Sequence, residues 1–194
     1  MPVQALYICG PLTELVSDPF YILQAIREVI NFLPWLLFGK RILTFWTAQE
    51  AKEFYATLAD DIANFPDVSP WRPFVPHEHY DPILHANFTP QQVYRGESAQ
   101  VCNNTSLLVV VAVAPSWGGG IEVGWAIHSG IPVLILWRNG TKLSRLFQGV
   151  PVVSGVIRYD SKREARKETI RWLIWEFPKH RRPFNFIVLK KLPV

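Results

Sequence analysis

Residues 107–137 constrain the fold more than any other part of this 194-residue chain. The stretch opens with residues 107–114, an unbroken Val-rich apolar run that is typical of a strand buried on both faces of a parallel sheet. A glycine-rich turn and a segment of helical spacing follow, and a second apolar run begins at Ile131. Strand, turn, helix and strand in this order form a βαβ unit. Because parallel sheets bind ligands beyond the carboxyl ends of their strands, we expect a ligand at residues 115–120.

Strands and helices alternate along the rest of the chain as well. Short apolar runs predict strands at residues 3–9, from Phe74 onward and at 152–159. Helical spacing and capping residues predict helices at 20–38, 47–65, 89–104, 141–147 and 161–177. This pattern predicts a three-layer α/β sandwich around a mostly parallel, Rossmann-like sheet of about five strands. We expect a single domain over residues 1–194, with a helical insertion at about 39–73 and a final helix and tail at 161–194.

Composition and charge narrow the range of partners. The net charge of +4 favours anionic partners only weakly, and the basic residues form no single stripe, so we expect no nucleic-acid binding. The apolar segment 20–38 is interrupted by polar residues and Pro34, which favours a buried amphipathic helix over a membrane span. Cys9 and Cys102 fit no metal-binding spacing and are expected to be free thiols. With no secretion signal visible, we expect a cytoplasmic protein without membrane contact.

Glu122 and the residues just before it are the first candidates for chemistry. We expect Glu122 in the first turn of a helix, where the helix dipole favours a carboxylate that can attack a carbon or stabilise a cation. An acid that only complements the dipole is the alternative. Ser116 and the amides of Gly118, Gly119 and Gly120 form a candidate anion cradle, because glycine permits close approach to amides at a helix start. The turn lacks the Lys of a P-loop.

Residues 77–81, His-Glu-His-Tyr-Asp, invite a metal-binding interpretation. On a strand, the side chains of His77 and His79 would project to the same side, and Asp81 could join them, with His85 close by in sequence. No further His or Cys cluster supports such a site, so we expect neither a metal nor another cofactor. An ordinary loop is the alternative.

These motifs together resemble the nucleoside 2-deoxyribosyltransferase family. The resemblance rests on Tyr-Ile-Cys-Gly-Pro at 7–11, Pro-Ser-x-Gly-x-Gly-x-Glu-x-Gly-x-Ala at 115–126 and Gly-x-Pro-Val at 130–133. It covers about residues 3–136, with poor register between 39 and 73. Ser116 in the turn is most similar to the nucleoside 5′-monophosphate N-glycosidase branch. The chain departs from the family at Glu97, where Asp is usual, and at Asn104-Thr105, where many members have Ala-Asp.

The resemblance implies cleavage or transfer of an N-glycosidic bond. Glu122 would attack the anomeric carbon and form a glycosyl-enzyme, a role that suits a carboxylate beside an oxocarbenium-like transition state. Glu97 would bind the sugar or assist departure of the base, and Tyr7 would orient the carboxylate or the sugar. Ser116 and the glycine amides would hold the 5′-phosphate, and the segment at 77–81 would line the base pocket. The predicted substrate contacts are Gly10, Pro11, His77, His79, Asp81, Tyr94, Ser116, Trp117, Gly118, Gly119 and Gly120.

Hydrolysis of a nucleoside 5′-monophosphate is the preferred interpretation, and exchange of bases by transfer is the alternative within the same chemistry. A non-catalytic nucleotide sensor on the same fold and a metal hydrolase built on His77, His79 and Asp81 are the alternatives from other classes. The predicted partner is a small nucleotide or nucleoside. Because neighbouring subunits complete the pockets of family members, we also expect a homodimer or larger homo-oligomer, with residues 20–38 and 184–189 suited to its interface.

Overall fold

The computed structural model of the protein describes residues 4–10, 48–66, 71–81, 84–114 and 116–180. The helix predicted at 20–38 and the tail segment at 184–189 lie outside these residues, as do Pro11 and Pro115.

Five strands and seven helices occur within the described residues. The strands are β1 (Gln4–Cys9), β2 (Trp71–Phe74), β3 (Leu107–Ala112), β4 (Val133–Arg138) and β5 (Val153–Tyr159). The helices are α1 (Ala48–Asn64), α2 (Pro76–Tyr80), α3 (Pro90–Asn104), α4 (Trp117–Ser129), α5 (Arg145–Gln148), α6 (Lys162–Trp175) and α7 (Phe177–His180). Of the helices that the structure describes, none has the length and apolar character needed to cross a membrane.

The strands form one parallel sheet in the order β2-β1-β3-β4-β5. The predicted α/β fold with a parallel, five-stranded sheet is therefore confirmed. From β1 the chain passes to β2 on one side and then returns to β3 on the other side. This reversal places a crevice at the carboxyl ends of β1 and β3, which is where open α/β sheets bind ligands.

Apolar layers cover both faces of the sheet, because successive strand residues point to opposite sides. On one face, Leu6 and Ile8 of β1 belong to a buried cluster with Leu58 of α1 and Leu173 of α6. On the other face, the buried cluster joins residues of β1, β3 and β4 to α3 and α4, and includes Tyr7, Cys9, Val101, Val110, Val123, Ala126 and Ile135. The candidate functional residues lie on this second side.

Capping residues fix the ends of the helices that border the crevice. Thr89 caps α3 with the predicted capping box, in which its hydroxyl accepts from the Gln92 amide and the Gln92 side chain accepts from the Thr89 amide. Ser116 caps α4, since its Oγ accepts the Gly119 N–H at 3.0 Å. The left-handed conformation of Gly130, with φ of 67°, ends α4 as predicted.

The prediction of a flexible turn at the three glycines was wrong. Gly118, Gly119 and Gly120 form the first turn of α4, and positive φ angles occur only at Gly130 and Gly140 among the described residues. The Ser116 cap starts the helix early and offsets the low helix propensity of glycine. Glu122 consequently lies in the second turn of α4 rather than the first.

The segment around β2 also differs from its prediction. The strand occupies Trp71–Phe74 instead of beginning at Phe74, and Pro73 is tolerated because β2 is at the edge of the described sheet. Residues 76–80 form the short helix α2, where side chains two positions apart diverge by about 200°. His77 and His79 therefore do not project to the same side. One later helix is also shifted, since α5 occupies Arg145–Gln148 instead of 141–147.

Candidate functional site

A cavity of about 450 Å³ lies beyond the carboxyl end of β1. Its wall is formed by the end of β1, by Tyr55 of α1, by α2 and the turn that follows it, by one face of α3 and by the first turns of α4. The cavity thus occupies the crevice that the strand order creates.

Glu122 is the buried acid of this cavity, and its side chain is fixed by a second buried residue. Only 6% of Glu122 is exposed, and the Tyr7 hydroxyl donates a hydrogen bond of 2.8 Å to its Oε1. Burial, together with the Glu122 charge, raises the pKa of Tyr7 far above its usual range and does the same to the Cys9 thiol. Both groups therefore stay protonated beside Glu122, so Tyr7 remains a hydrogen-bond donor to the carboxylate at all physiological pH values.

Glu97 supplies a second carboxyl group to the cavity wall, from α3. Burial and then the Glu122 charge raise its pKa from 4.5 to about 7. A carboxyl group with this pKa exchanges its proton near neutral pH, whereas an ordinary glutamate is fully ionised there. The structure therefore places an acid able to carry a proton at the same cavity as Glu122.

The start of α4 gives the cavity a polar end. Ser116, Gly118 and Gly119 line it, while Gly120 lies outside the lining. Two of the three glycine amides already have acceptors within the chain: Gly119 N–H donates to Ser116 Oγ at 3.0 Å, and Gly120 N–H donates to the Ser116 carbonyl at 3.1 Å. The predicted anion cradle therefore has fewer available amide donors than the sequence suggested.

Other predicted contacts divide between the cavity and its surroundings. Gly10, His77 and Tyr94 line the cavity, and Tyr7 lies behind Glu122 without reaching the lining. Burial and the nearby Lys52 charge lower the pKa of His77, although Asp81 opposes this shift.

Three further predicted contacts lie away from the cavity. The His79 ring stacks on Phe74, with a centroid distance of 4.4 Å and an interplanar angle of 7°. Asp81 is buried and forms an ion pair with Lys52 of α1. Trp117 is 88% exposed. Across the part of the chain that the structure describes, no group of three or more His, Cys, Asp or Glu residues could hold a metal ion.

Aromatic residues that the sequence did not single out form much of the wall, namely Tyr55, Tyr80 and Phe88. Trp125 also lines the cavity and meets Tyr94 edge to face at 5.2 Å. One signal for Tyr80 was present: Gly96 lies in the middle of a helix, where glycine is unfavourable. A Cβ atom at Gly96 would lie 2.1 Å from the Tyr80 hydroxyl, so the glycine makes room for this ring.

Solved structures of other proteins have a similar fold. No protein-family model matches the chain, and no curated protein matches it in sequence. Among solved structures, the chain is similar to the CMP N-glycosidase BcmB of Clostridium botulinum, with a TM-score of 0.51 and 18% identity over 64% of this chain and 92% of that one. A conserved protein from Enterococcus faecalis V583 aligns with a TM-score of 0.49 and 14% identity over 88% of this chain and 99% of that one. At 18% identity, the first similarity shows that the two chains share an α/β fold.

Proposed function

We propose that the protein is an N-glycosidase that hydrolyses the base–sugar bond of a nucleoside 5′-monophosphate, with Glu122 as its nucleophile. The observation that carries this proposal is the buried Glu122 carboxylate, bonded to Tyr7 at the wall of a cavity that also holds Glu97. The fold shared with a CMP N-glycosidase supports the same class of reaction.

The two carboxyl groups have the complementary states that a double-displacement reaction needs. In the first step Glu122 attacks C1′ of the sugar, the bond from C1′ to the base nitrogen breaks with its electron pair on the base, and protonated Glu97 donates a proton to the base. In the second step ionised Glu97 takes a proton from water as the water oxygen attacks C1′, which releases Glu122. The raised pKa of Glu97, about 7, supports both halves of this cycle.

Tyr7 and Gly119 prepare Glu122 for attack. The Tyr7 hydroxyl donates to Oε1 and so fixes the orientation of the attacking carboxylate. A Cβ atom at Gly119 would lie 3.9 Å from Oε2, so a larger side chain at this position would crowd the approach to it. The positive end of the α4 dipole and the Ser116 hydroxyl would bind the 5′-phosphate, and the rings of Tyr94 and Trp125 would face the base.

A substrate panel tests this proposal. Purified protein is incubated with ribo- and deoxyribonucleosides and their 5′-monophosphates, and free base is separated by chromatography. We expect the wild type to release base from at least one monophosphate faster than from the matching nucleoside. Glu122→Gln keeps the shape of the side chain but lacks a nucleophilic oxygen anion, so it should release none while still binding nucleotide.

The other outcomes of this panel separate the alternatives. A new nucleoside that forms only when a second free base is added would assign base transfer instead of hydrolysis. Nucleotide binding with no turnover by wild type would assign a sensor. Loss of activity on addition of a chelator would support a metal hydrolase, whereas the proposed mechanism requires no change.

A further inference from the structure

His85 lines the cavity but has no part in the mechanism proposed above. It lies in the turn between α2 and α3, and hydrogen bonds fix its backbone on both sides. The His85 N–H donates to the Asp81 carbonyl at 2.8 Å, and the His85 carbonyl accepts from Phe88 N–H at 3.0 Å. The imidazole stacks on the Phe88 ring with a centroid distance of 5.9 Å and an interplanar angle of 14°. Both the backbone and the ring of His85 are thus held in place.

Polar contacts, rather than apolar burial, anchor this turn. Asp81 is only 1% exposed, and its two carboxylate oxygens bind the Lys52 ammonium of α1 and the Leu84 N–H, the latter at 3.0 Å. Among the described residues of the turn, Leu84 is 77% and Phe88 45% exposed. The buried Asp81 carboxylate thus ties the described part of the turn to α1, and such a polar anchor is suited to holding a side chain in position at the cavity.

The surroundings of the His85 ring determine which nitrogen carries its hydrogen. Nδ1 is buried and has no hydrogen-bond partner among the described residues. A neutral imidazole has one donor nitrogen and one acceptor nitrogen, and a buried N–H without an acceptor is rarer and more costly than an unused lone pair. The hydrogen therefore belongs on Nε2, which makes this nitrogen a hydrogen-bond donor.

We propose that His85 is a further catalytic residue, which donates a hydrogen bond from Nε2 to the base of the substrate. This inference rests on the proposed glycosidase function. As the bond from C1′ to the base breaks, the electron pair stays on the base and its carbonyl oxygens and unprotonated ring nitrogens become more negative. A fixed donor at one of these atoms stabilises the departing base in the transition state. The substrate class is accordingly a nucleotide whose base presents a carbonyl oxygen or a ring nitrogen to the turn at 84–88.

Two histidine substitutions on this side of the sheet give a matched pair. His85→Phe keeps a flat ring for stacking on Phe88 but removes the N–H, and we expect kcat/KM to fall about 100-fold. His128→Phe, exposed in the last turn of α4 and outside the cavity lining, should leave kcat/KM unchanged. His85→Gln, which retains a side-chain donor, should recover part of the activity. Thermal unfolding of each variant checks that the fold is retained.

Substrate analogues decide whether the lost activity comes from a contact with the base. Nucleotides in which single acceptor atoms of the base are replaced by C–H are tested with wild type and His85→Phe. For one analogue, His85→Phe should cause no further loss of kcat/KM, because that analogue already lacks the contacted atom. An equal loss on every analogue, or no loss on any substrate, would overturn the inference.

A binding measurement separates this inference from the proposed function. If wild type releases no base from any nucleotide, the glycosidase proposal fails, and the affinity of each nucleotide is then measured by calorimetry with wild type and His85→Phe. If His85 contacts the base, His85→Phe should bind nucleotide about 10-fold more weakly than wild type. This difference should disappear for the analogue that lacks the contacted atom. Equal affinities for the two proteins would overturn the role of His85 as well.

Discussion

Two carboxyl groups meet at one cavity with different surroundings, and in the proposed mechanism this difference divides the chemistry between them. Glu122 accepts a hydrogen bond from the buried Tyr7 hydroxyl, which holds it as an oriented carboxylate. Glu97 is partly buried, and its pKa of about 7 lets it carry a proton at neutral pH. The resemblance of the sequence to a known family singled out Glu122, Glu97 and Tyr7, and the structure brings the three residues close together. Their catalytic roles stay predictions. The aromatic wall was not predictable in this way, because Tyr55, Tyr80 and Phe88 come from separate segments and look like ordinary core or loop residues.

The pKa of Glu97 predicts a pH dependence of activity. Because the first step needs the protonated acid, kcat/KM should fall as the pH rises through about 7. Glu97→Gln should lower kcat/KM by about 100-fold and remove this alkaline loss. The measurement is a pH–rate profile of both proteins from pH 5 to pH 9. The same alkaline loss in Glu97→Gln would mean that another group is responsible.

Glu97 should also make the free energy of unfolding depend on pH. The folded state holds the Glu97 proton more tightly than the unfolded chain, so the contribution of Glu97 becomes less favourable as the pH rises from 4.5 to about 7. The full effect is at most about 3 kcal/mol in the free energy of unfolding. Glu97→Gln should therefore gain stability over wild type at pH 8 but not at pH 4, whereas Glu78→Gln on the exposed side of α2 should show no such difference.

Removal of the Tyr7 hydroxyl tests how Glu122 is oriented. Tyr7→Phe leaves the buried ring in place but deprives Oε1 of its donor. We expect kcat to fall about 10-fold while KM changes little, and the free energy of unfolding to fall by about 1–3 kcal/mol. Steady-state kinetics and chemical denaturation measure the two effects. Unchanged kcat with reduced stability would show that Tyr7 has only a structural role.

Capping side chains and glycines determine where the helices around the cavity begin and end, as much as their apolar faces do. Caps at Thr89 and Ser161 were readable from sequence because the capping pattern is local. The start of α4 was not, since three glycines disfavour helix and only the Ser116 side chain and packing of α4 on the sheet reverse that preference. Similarly, the start of β2 before Pro73 was not readable from sequence. Proline is tolerated in a strand at the edge of a sheet, and the edge position of β2 is a property of the assembled sheet.

Two helical glycines provide a matched test of this view. Gly124 in α4 has open space where a Cβ would be, so Gly124→Ala should raise the free energy of unfolding by about 0.5–1 kcal/mol. Gly96→Ala in α3 would place a methyl group 2.1 Å from the Tyr80 hydroxyl. It should not give this gain in stability, and displacement of Tyr80 should raise KM several-fold. The double variant Gly96→Ala/Tyr80→Leu should recover the gain in stability, and its absence would contradict the account.

Both candidate carboxyl groups lie on one side of the sheet. They belong to α3 and α4, whereas the face covered by α1 and α6 holds an apolar cluster that adds only Ile8 and Tyr55 to the cavity wall. Alternating elements were enough to predict a parallel sheet. The strand order was not readable, because it depends on which side of β1 each later strand joins, and that is decided by packing between distant segments.

The last prediction for the whole molecule is that it assembles with copies of itself. Several large apolar residues of the described chain are strongly exposed, among them Trp117 at 88% and Ile121 at 49%, both at the start of α4. Large apolar residues that are exposed close together are typical of an interface. We expect a homodimer or a larger homo-oligomer, measured by size exclusion with light scattering over a range of concentrations. A mass near 22.3 kDa at every concentration would contradict this prediction.

Trapping the covalent intermediate tests whether Glu122 is the nucleophile. A monophosphate that the enzyme cleaves is prepared with fluorine at C2′, which slows both steps by destabilising the oxocarbenium-like transition states, and the protein is analysed by mass spectrometry. We expect a mass increase equal to one fluorosugar phosphate, located on the peptide that carries Glu122 and absent from Glu122→Gln. Release of base with no adduct, or an adduct on Glu97 instead, would contradict the assignment of Glu122 as the nucleophile.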